Sequence, residues 1–215
     1  MIEIKTFQCN PIQENCYVVS DSACEAVVID CGAFYEAERK AVVDYINDHG
    51  LHLRHVLCTH AHFDHIFGLD TLYKKFDLLP RLHPADRHIY DSMHQQVKSM
   101  LGIDMNFELP PLGDDLADGE VIPFGHNAIK VLHTPGHSPG SVLFFIEEAK
   151  VLFSGDTLFR MSVGRTDLEG GSWQQLIRSL QVVVADLPDD VKVYPGHGPI
   201  TSIKEEKQFN PFLRY

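Results

Sequence analysis

Three histidines and an aspartate crowd into Thr59-His60-Ala61-His62-Phe63-Asp64-His65. Imidazole nitrogen and carboxylate oxygen are ligands for zinc, and equally for iron, cobalt or manganese. In an extended chain residues i and i+2 project to the same side, so His60 and His62 can reach one cation. Asp64 and His65 follow as the chain turns, and can face a second cation beside the first. Rings packed this closely repel one another when protonated, so a purpose other than metal binding is hard to find for them. Spacing alone marks these four residues as a metal site.

Three further candidates lie far along the chain. His137 sits in His133-Thr134-Pro135-Gly136-His137-Ser138, Asp156 in Phe153-Ser154-Gly155-Asp156-Thr157, and His197 in Tyr194-Pro195-Gly196-His197-Gly198. Each follows a glycine and stands downstream of a strand-like run. Glycine permits tight backbone geometry at a sheet edge, and loops set on a rigid sheet commonly carry catalytic groups. Taken singly, His137 and His197 read more readily as turn residues than as ligands, and Asp156 as a turn or cap aspartate.

The elements that must position these residues come in two similar sets. Ile2 to Phe7, Cys16 to Ser20, Ala26 to Asp30 and Arg54 to Thr59 read as strands, the last running straight into the cluster. Between them Tyr35 to His49 has helical periodicity, with Ala37, Ala41, Val42, Tyr45 and Ile46 on one face and Gly50 as a stop. Phe67 to Phe76 reads as a helix, and Pro84 suits the first turn of another running through Met93; residues 83–118 are expected to cover one face with helices and a loop. Strands return at Ile129 to Leu132, Ser141 to Ile146, Lys150 to Phe153 and Val191 to Tyr194. Helices are expected at Trp173 to Val184, capped by Ser172, and at Thr201 to Gln208. Phe144, Phe145, Phe153 and Trp173 read as core. Two sheets with helices outside would satisfy this order, although pattern alone does not fix the topology.

Composition narrows the class. The 215 residues are 44% hydrophobic, enough for one sizeable core, so a single domain over 1–215 is expected. The net charge of −12 repels polyanions and argues against nucleic acid as a partner. No apolar run approaches the ~20 residues of a membrane span. The N-terminus lacks the pattern of a signal peptide. Cys9, Cys16, Cys24, Cys31 and Cys58 form no C-x-x-C pair and sit in apolar stretches. Free cysteines in a core suit a reducing compartment, so the cytoplasm is expected.

The pattern H-x-H-x-D-H, with the glycine contexts of His137, Asp156 and His197, resembles the metallo-β-lactamase superfamily from about Asn15 to Gly198. Within it, Ser154-Gly155-Asp156-Thr157-Leu158-Phe159-Arg160 and Val163-Gly164-Arg165-Thr166-Asp167 are similar to the single-domain glyoxalase II-like hydrolases. The resemblance implies an α/β (α+β) fold, the four-layer αββα sandwich. It implies two divalent metal ions, zinc first, with iron or manganese as alternatives. His60, His62 and His137 would hold one, Asp64, His65 and His197 the other, and Asp156 would bridge them. Water ionised between the metals would attack the carbonyl of a small thioester, with Asp64 as the catalytic residue that orients it. Arg160 and Arg165, which follow the Asp156 turn, are candidates for substrate contact; for Arg165 the alternative is an ion pair with Asp167.

Several contrasts are informative. Glyoxalase II enzymes carry a helical C-terminal domain that contacts glutathione; with Tyr215 as the last residue, none is expected here. Class B β-lactamases often place cysteine where Asp156 stands, and flavodiiron proteins place glutamate where His62 stands. The competing functions are an iron-dependent persulfide dioxygenase and a non-catalytic metal-binding protein, with a nuclease disfavoured by charge. His133 is read as a structural or supporting residue. His83, His88, His94 and His126 show no partner pattern and are read as surface or ordinary hydrogen-bonded residues.

Overall fold

The computed structural model describes residues 1–105 and 108–213. In the first half the chain runs β1 (Ile2–Cys9), β2 (Glu14–Asp21), β3 (Glu25–Ile29), α1 (Glu36–Asp48), β4 (His52–Leu57), α2 (Phe63–Ile66), α3 (Leu69–Phe76), β5 (Pro80–Arg81), α4 (Arg87–Asp91) and α5 (Met93–Leu101). The second half runs β6 (Val121–Phe124), β7 (Asn127–His133), β8 (Val142–Ile146), β9 (Val151–Gly155), β10 (Leu158–Phe159), β11 (Ser162–Val163), α6 (Trp173–Ser179), β12 (Lys192–Pro195), β13 (Thr201–Ser202) and α7 (Ile203–Phe209).

Two large sheets result, ordered β1-β2-β3-β4-β5 and β13-β12-β9-β8-β7-β6. Strands β3, β4 and β5 pair in parallel, as do β9 and β12; the remaining pairs within the two large sheets are antiparallel. Every residue of β2 is buried, because the strand is covered on both faces. Side chains alternate across a strand, so Val18 joins an outer cluster with Val42, Ile46, Leu69 and Leu72 from α1 and α3. Its neighbour Val19 joins the cluster between the sheets, with Ile29 and Leu57 facing Val131, Phe144 and Phe153. Leu143 and Leu152 point the other way, onto Leu176 and Leu180. Three apolar interfaces separating four layers make the expected αββα sandwich.

Several elements depart from the sequence pattern. The helix expected from Pro84 is broken into a 3-10 turn at Pro84–Asp86, then α4 and α5, which hinge at Ser92. The α-helix after Ser172 gives way to a π-helical turn at Leu180–Val184. Ser172 does cap it, accepting from Gln175 N. Thr201 and Ser202 are a strand paired to β12 before α7 begins. Trp173 is not core: it is 48% exposed at the first turn of α6, edge-on to Phe212, while Leu176 and Leu180 carry the buried face. All five cysteines are free thiols, and four are buried; Cys24 is exposed, in the turn between β2 and β3 at φ +57°. Among the described residues no helix is long and apolar enough to cross a membrane.

Candidate metal centre

The C-terminal ends of β4, β9 and β12 open on one edge of the sandwich, and the site is built there. His60 and His62 leave β4 in extended chain, and α2 then carries Asp64 and His65. His137 comes from the turn between β7 and β8, Asp156 from the end of β9, and His197 from the end of β12.

The structure brings all seven together. Potential ligand atoms of His60, His62 and His137 lie within 4.8 Å of one another, as do those of Asp64, His65 and His197. Asp156 stands between the groups: its Oδ1 is 3.4 Å from His65 Nε2, and its Oδ2 is 3.5 Å from His137 Nε2 and 3.7 Å from His197 Nε2. It is the residue placed to touch both.

The hydrogen-bond network assigns the ring tautomers, and this tests whether the site suits cations. His137 Nδ1 donates to Arg165 O at 2.7 Å, so its Nε2 carries a bare lone pair. Thr59 Oγ1 donates to Asp30 Oδ2, and thus accepts from His60 Nδ1 at 3.0 Å, baring His60 Nε2. His65 Nδ1 donates to Asp30 Oδ2 at 3.0 Å and His197 Nδ1 to Ile12 O at 3.2 Å. Four imidazoles are therefore held from behind through Nδ1, with Nε2 facing inward; on His60 and His137 that Nε2 is a bare lone pair. These two lone pairs lie only 3.2 Å apart, and His62 Nδ1 is 2.8 Å from His137 Nε2. Lone pairs do not bond one another; a cation among them removes the repulsion. The buried His65 Nε2 and Asp156 Oδ1 have no hydrogen-bond partner, as expected of atoms shaped for a metal.

Protonation agrees. Burial, aided by the neighbouring rings, pushes His60 well below the ordinary histidine range and His62 down to about 3, so both are neutral donors at pH 7. Burial also opposes charge on His65 and His197, yet the facing carboxylates raise both. The same rings hold Asp64 and Asp156 below their usual range, against burial. Burial pushes the nearby Glu14 carboxyl well above its ordinary range.

Two carboxylates that the sequence pattern did not single out fix this geometry. Asp30 ends β3 at φ +50° and accepts from Thr59 N, Thr59 Oγ1 and His65 Nδ1. A carboxylate closing an apolar strand just before Cys31-Gly32 was the available signal. Asp86 is fully buried and accepts from Ala61 N, Ser138 Oγ and Gly140 N, joining the His60–His62 segment to the His137 turn. Gln96 of α5 adds a clamp: its Oε1 accepts from Phe63 N and its Nε2 donates to Ile89 O. From the first sheet, Asn15 N donates to Gly196 O, Asn15 Nδ2 to Pro195 O and Gly198 O, and Tyr17 OH to Pro195 O, securing the His197 loop. Gly196 must be glycine: a Cβ there would fall 2.3 Å from Asp156 Oδ1 and 2.7 Å from His65 Cε1.

A cleft of about 660 Å3 opens over His62, Asp64, His137, Asp156 and His197. Arg165 lines it, with its guanidinium held by Asp167 through two bonds of 2.6 and 2.7 Å. Arg160 is exposed and does not line it. His133 lies away from the ligands, stacked on His83 with Nε2 toward Pro139 O.

Comparison with known proteins agrees with this geometry. The chain is 37% identical to the Probable metallo-hydrolase YqgX of Bacillus subtilis, over 94% of this chain and 93% of that one. It is 33% identical to the hydroxyacylglutathione hydrolase GloC of Haemophilus influenzae, over 99% and 98%. Among solved structures it superposes on the BLEG-1 B3 metallo-beta-lactamase with a TM-score of 0.90 at 36% identity, covering 98% and 99% of the chains. A di-iron-bound form of TTHA1623 gives 0.86 at 37% identity, covering 97% and 100%. The family model of the metallo-beta-lactamase superfamily matches residues 9–197, a span that takes in both histidine triads and the aspartate between them. With inward-facing ligands, fold and family model in agreement, the chain belongs to the metallo-beta-lactamase superfamily.

Proposed function

We propose that this chain is a hydrolase of small thioesters, working with two divalent cations held by His60, His62 and His137 and by Asp64, His65 and His197. The observation that carries the reading is Asp156, whose carboxylate lies within 3.7 Å of both triads, Oδ2 facing His137 and His197 and Oδ1 facing His65. Bound cations supply Lewis acidity and lower the pKa of water toward neutrality. The residues of the chain do the rest. Asp64 Oδ2, 3.1 Å from His197 Nε2 and 3.4 Å from His65 Nε2, lines the cleft, where it orients an attacking water. Asp30 and Asp86 hold the ligands so that no reorganisation is needed during reaction.

The leaving group follows from what surrounds the ligands. Among the described residues, their hydrogen-bond partners are rings, carboxylates, carbonyls and the Thr59 hydroxyl, with no lysine, tyrosine or thiol. A thiolate, whose conjugate acid has a pKa of ~8.5, departs without a dedicated acid. An amine or alkoxide does not. The GloC name gives independent support for a thioester substrate.

Metal analysis of protein purified without added metal, paired with thioester hydrolysis, tests this. Two metals per chain, zinc being the first expected, should accompany turnover. The di-iron neighbour makes iron the second metal to assay. One iron per chain, oxygen uptake with a persulfide and no hydrolysis would assign the dioxygenase reading instead. Metal without any turnover would leave a binding protein.

A further inference from the structure

The walls of the cleft say which thioester. Apolar side chains dominate them: Phe63, Ile89 and Met100 from α2, α4 and α5, with Ile12, Phe159 and Leu168 from other segments. Apart from the ligands, the charged lining residues are one of each sign, Arg165 and Glu169. Arg165 has Nε and Nη2 on Asp167, so the one arginine of the lining is already paired with a carboxylate of the chain. The remaining polar lining, including Ser92, Gln95 and Ser99, is uncharged and suits neutral amides and hydroxyls. The whole chain carries −12. Glutathione brings two carboxylates and finds no lysine or arginine pair here to receive them. A volume of about 660 Å3 is that of a site for a drug-sized ligand, with room for a medium-length acyl chain and its thiol together.

We propose that the substrate is an uncharged thioester with a medium-length apolar acyl group, seated against Phe63, Ile89 and Met100. This rests on the thioesterase reading above and goes beyond it. Attack at the carbonyl breaks the C–S bond, water supplies the oxygen and proton, and a carboxylic acid and a thiol are released. No other reactant is needed.

The test uses the metal-loaded enzyme on acetyl, butyryl, hexanoyl and octanoyl thioesters of N-acetylcysteamine, with S-lactoylglutathione alongside. Burying one methylene is worth up to about fourfold in binding. We expect kcat/KM to rise about two- to fourfold per methylene, at least ~50-fold from acetyl to octanoyl, with octanoyl well above lactoylglutathione. A flat profile, or lactoylglutathione ahead of octanoyl, overturns the proposal while leaving the thioesterase reading intact. Failure with every thioester at full metal content overturns that reading itself. Met100 is 44% exposed, so Met100→Glu should fold. Its octanoyl-to-acetyl ratio should fall about tenfold, and an unchanged ratio would refute the assigned wall.

Discussion

Replacing Asp86 by asparagine should weaken the first metal site without touching a ligand. Asp86 Oδ2 accepts from Ala61 N at 3.0 Å and Ser138 Oγ at 2.7 Å, and Oδ1 from Gly140 N at 2.6 Å. Burial pushes its carboxyl upward and these three donors pull it back toward ionisation. Asparagine has one oxygen. Whichever way its amide turns, an NH2 group faces either Ala61 N–H or Gly140 N–H, and a buried donor is stranded. Such a group costs about 1–3 kcal/mol. Denaturant unfolding of the metal-free protein should therefore show a loss of about 2 kcal/mol. Ala61 lies between His60 and His62, and Ser138 follows His137, so the strain falls on all three ligands of one triad. Loss of such supporting bonds typically weakens metal binding 10- to 100-fold. Competition against a chromophoric chelator would read this, with Ser138→Ala as the milder comparison, because both backbone bonds remain. Wild-type metal affinity and an unchanged unfolding midpoint in Asp86→Asn would refute the reasoning.

Gly196→Ala should displace Asp156 and His65 together, since the added Cβ falls on both; metal content should drop from two toward one, and activity at least tenfold. In the metal-free protein His62, at about 3 when folded and near 6.5 when unfolded, stabilises above the unfolded value and loses that contribution as pH falls toward 3. Between pH 7 and 5, wild type should lose about 2 kcal/mol relative to His62→Gln, as measured by urea unfolding. His65 and His197 are raised and carry the opposite sign, so a His65→Gln comparison should shift the other way. Arg165→Ala should leave the unfolding midpoint unchanged, because its pair with Asp167 is exposed. If Arg165 touches substrate through the cleft, KM should rise with little change in kcat.

How much of this was legible depended on locality. His60, His62, Asp64 and His65 announce themselves because strand geometry alone sets their directions. His137, Asp156 and His197 could be gathered only through the family pattern, since nothing short-range links residues 77 to 137 positions away from His60. Asp30 and Asp86 escaped notice because a lone aspartate at the end of a strand or in a first helical turn has an ordinary local role. Their function lies entirely in contacts 25 to 54 residues distant. The strands were readable as short β-rich runs and the outer helices from periodicity. The break at Ser92 and the π turn after α6 were not, because both continue an apolar rhythm through a change in backbone. Trp173 misled by residue type: a large apolar side chain in the first turn of α6 lies off its buried stripe.

The anchoring of the His197 loop by Asn15 and Tyr17 has a consequence for the order of assembly. A chain made from its N-terminus produces the clasp early and the loop it grips about 180 residues later. Asp64 and His65 therefore exist as an incomplete claw through most of synthesis, and their third arm closes only when β12 docks beside β9 and meets the first sheet. A cation held jointly by Asp64, His65 and His197 would tie the late-made end of the sandwich to the first-made one.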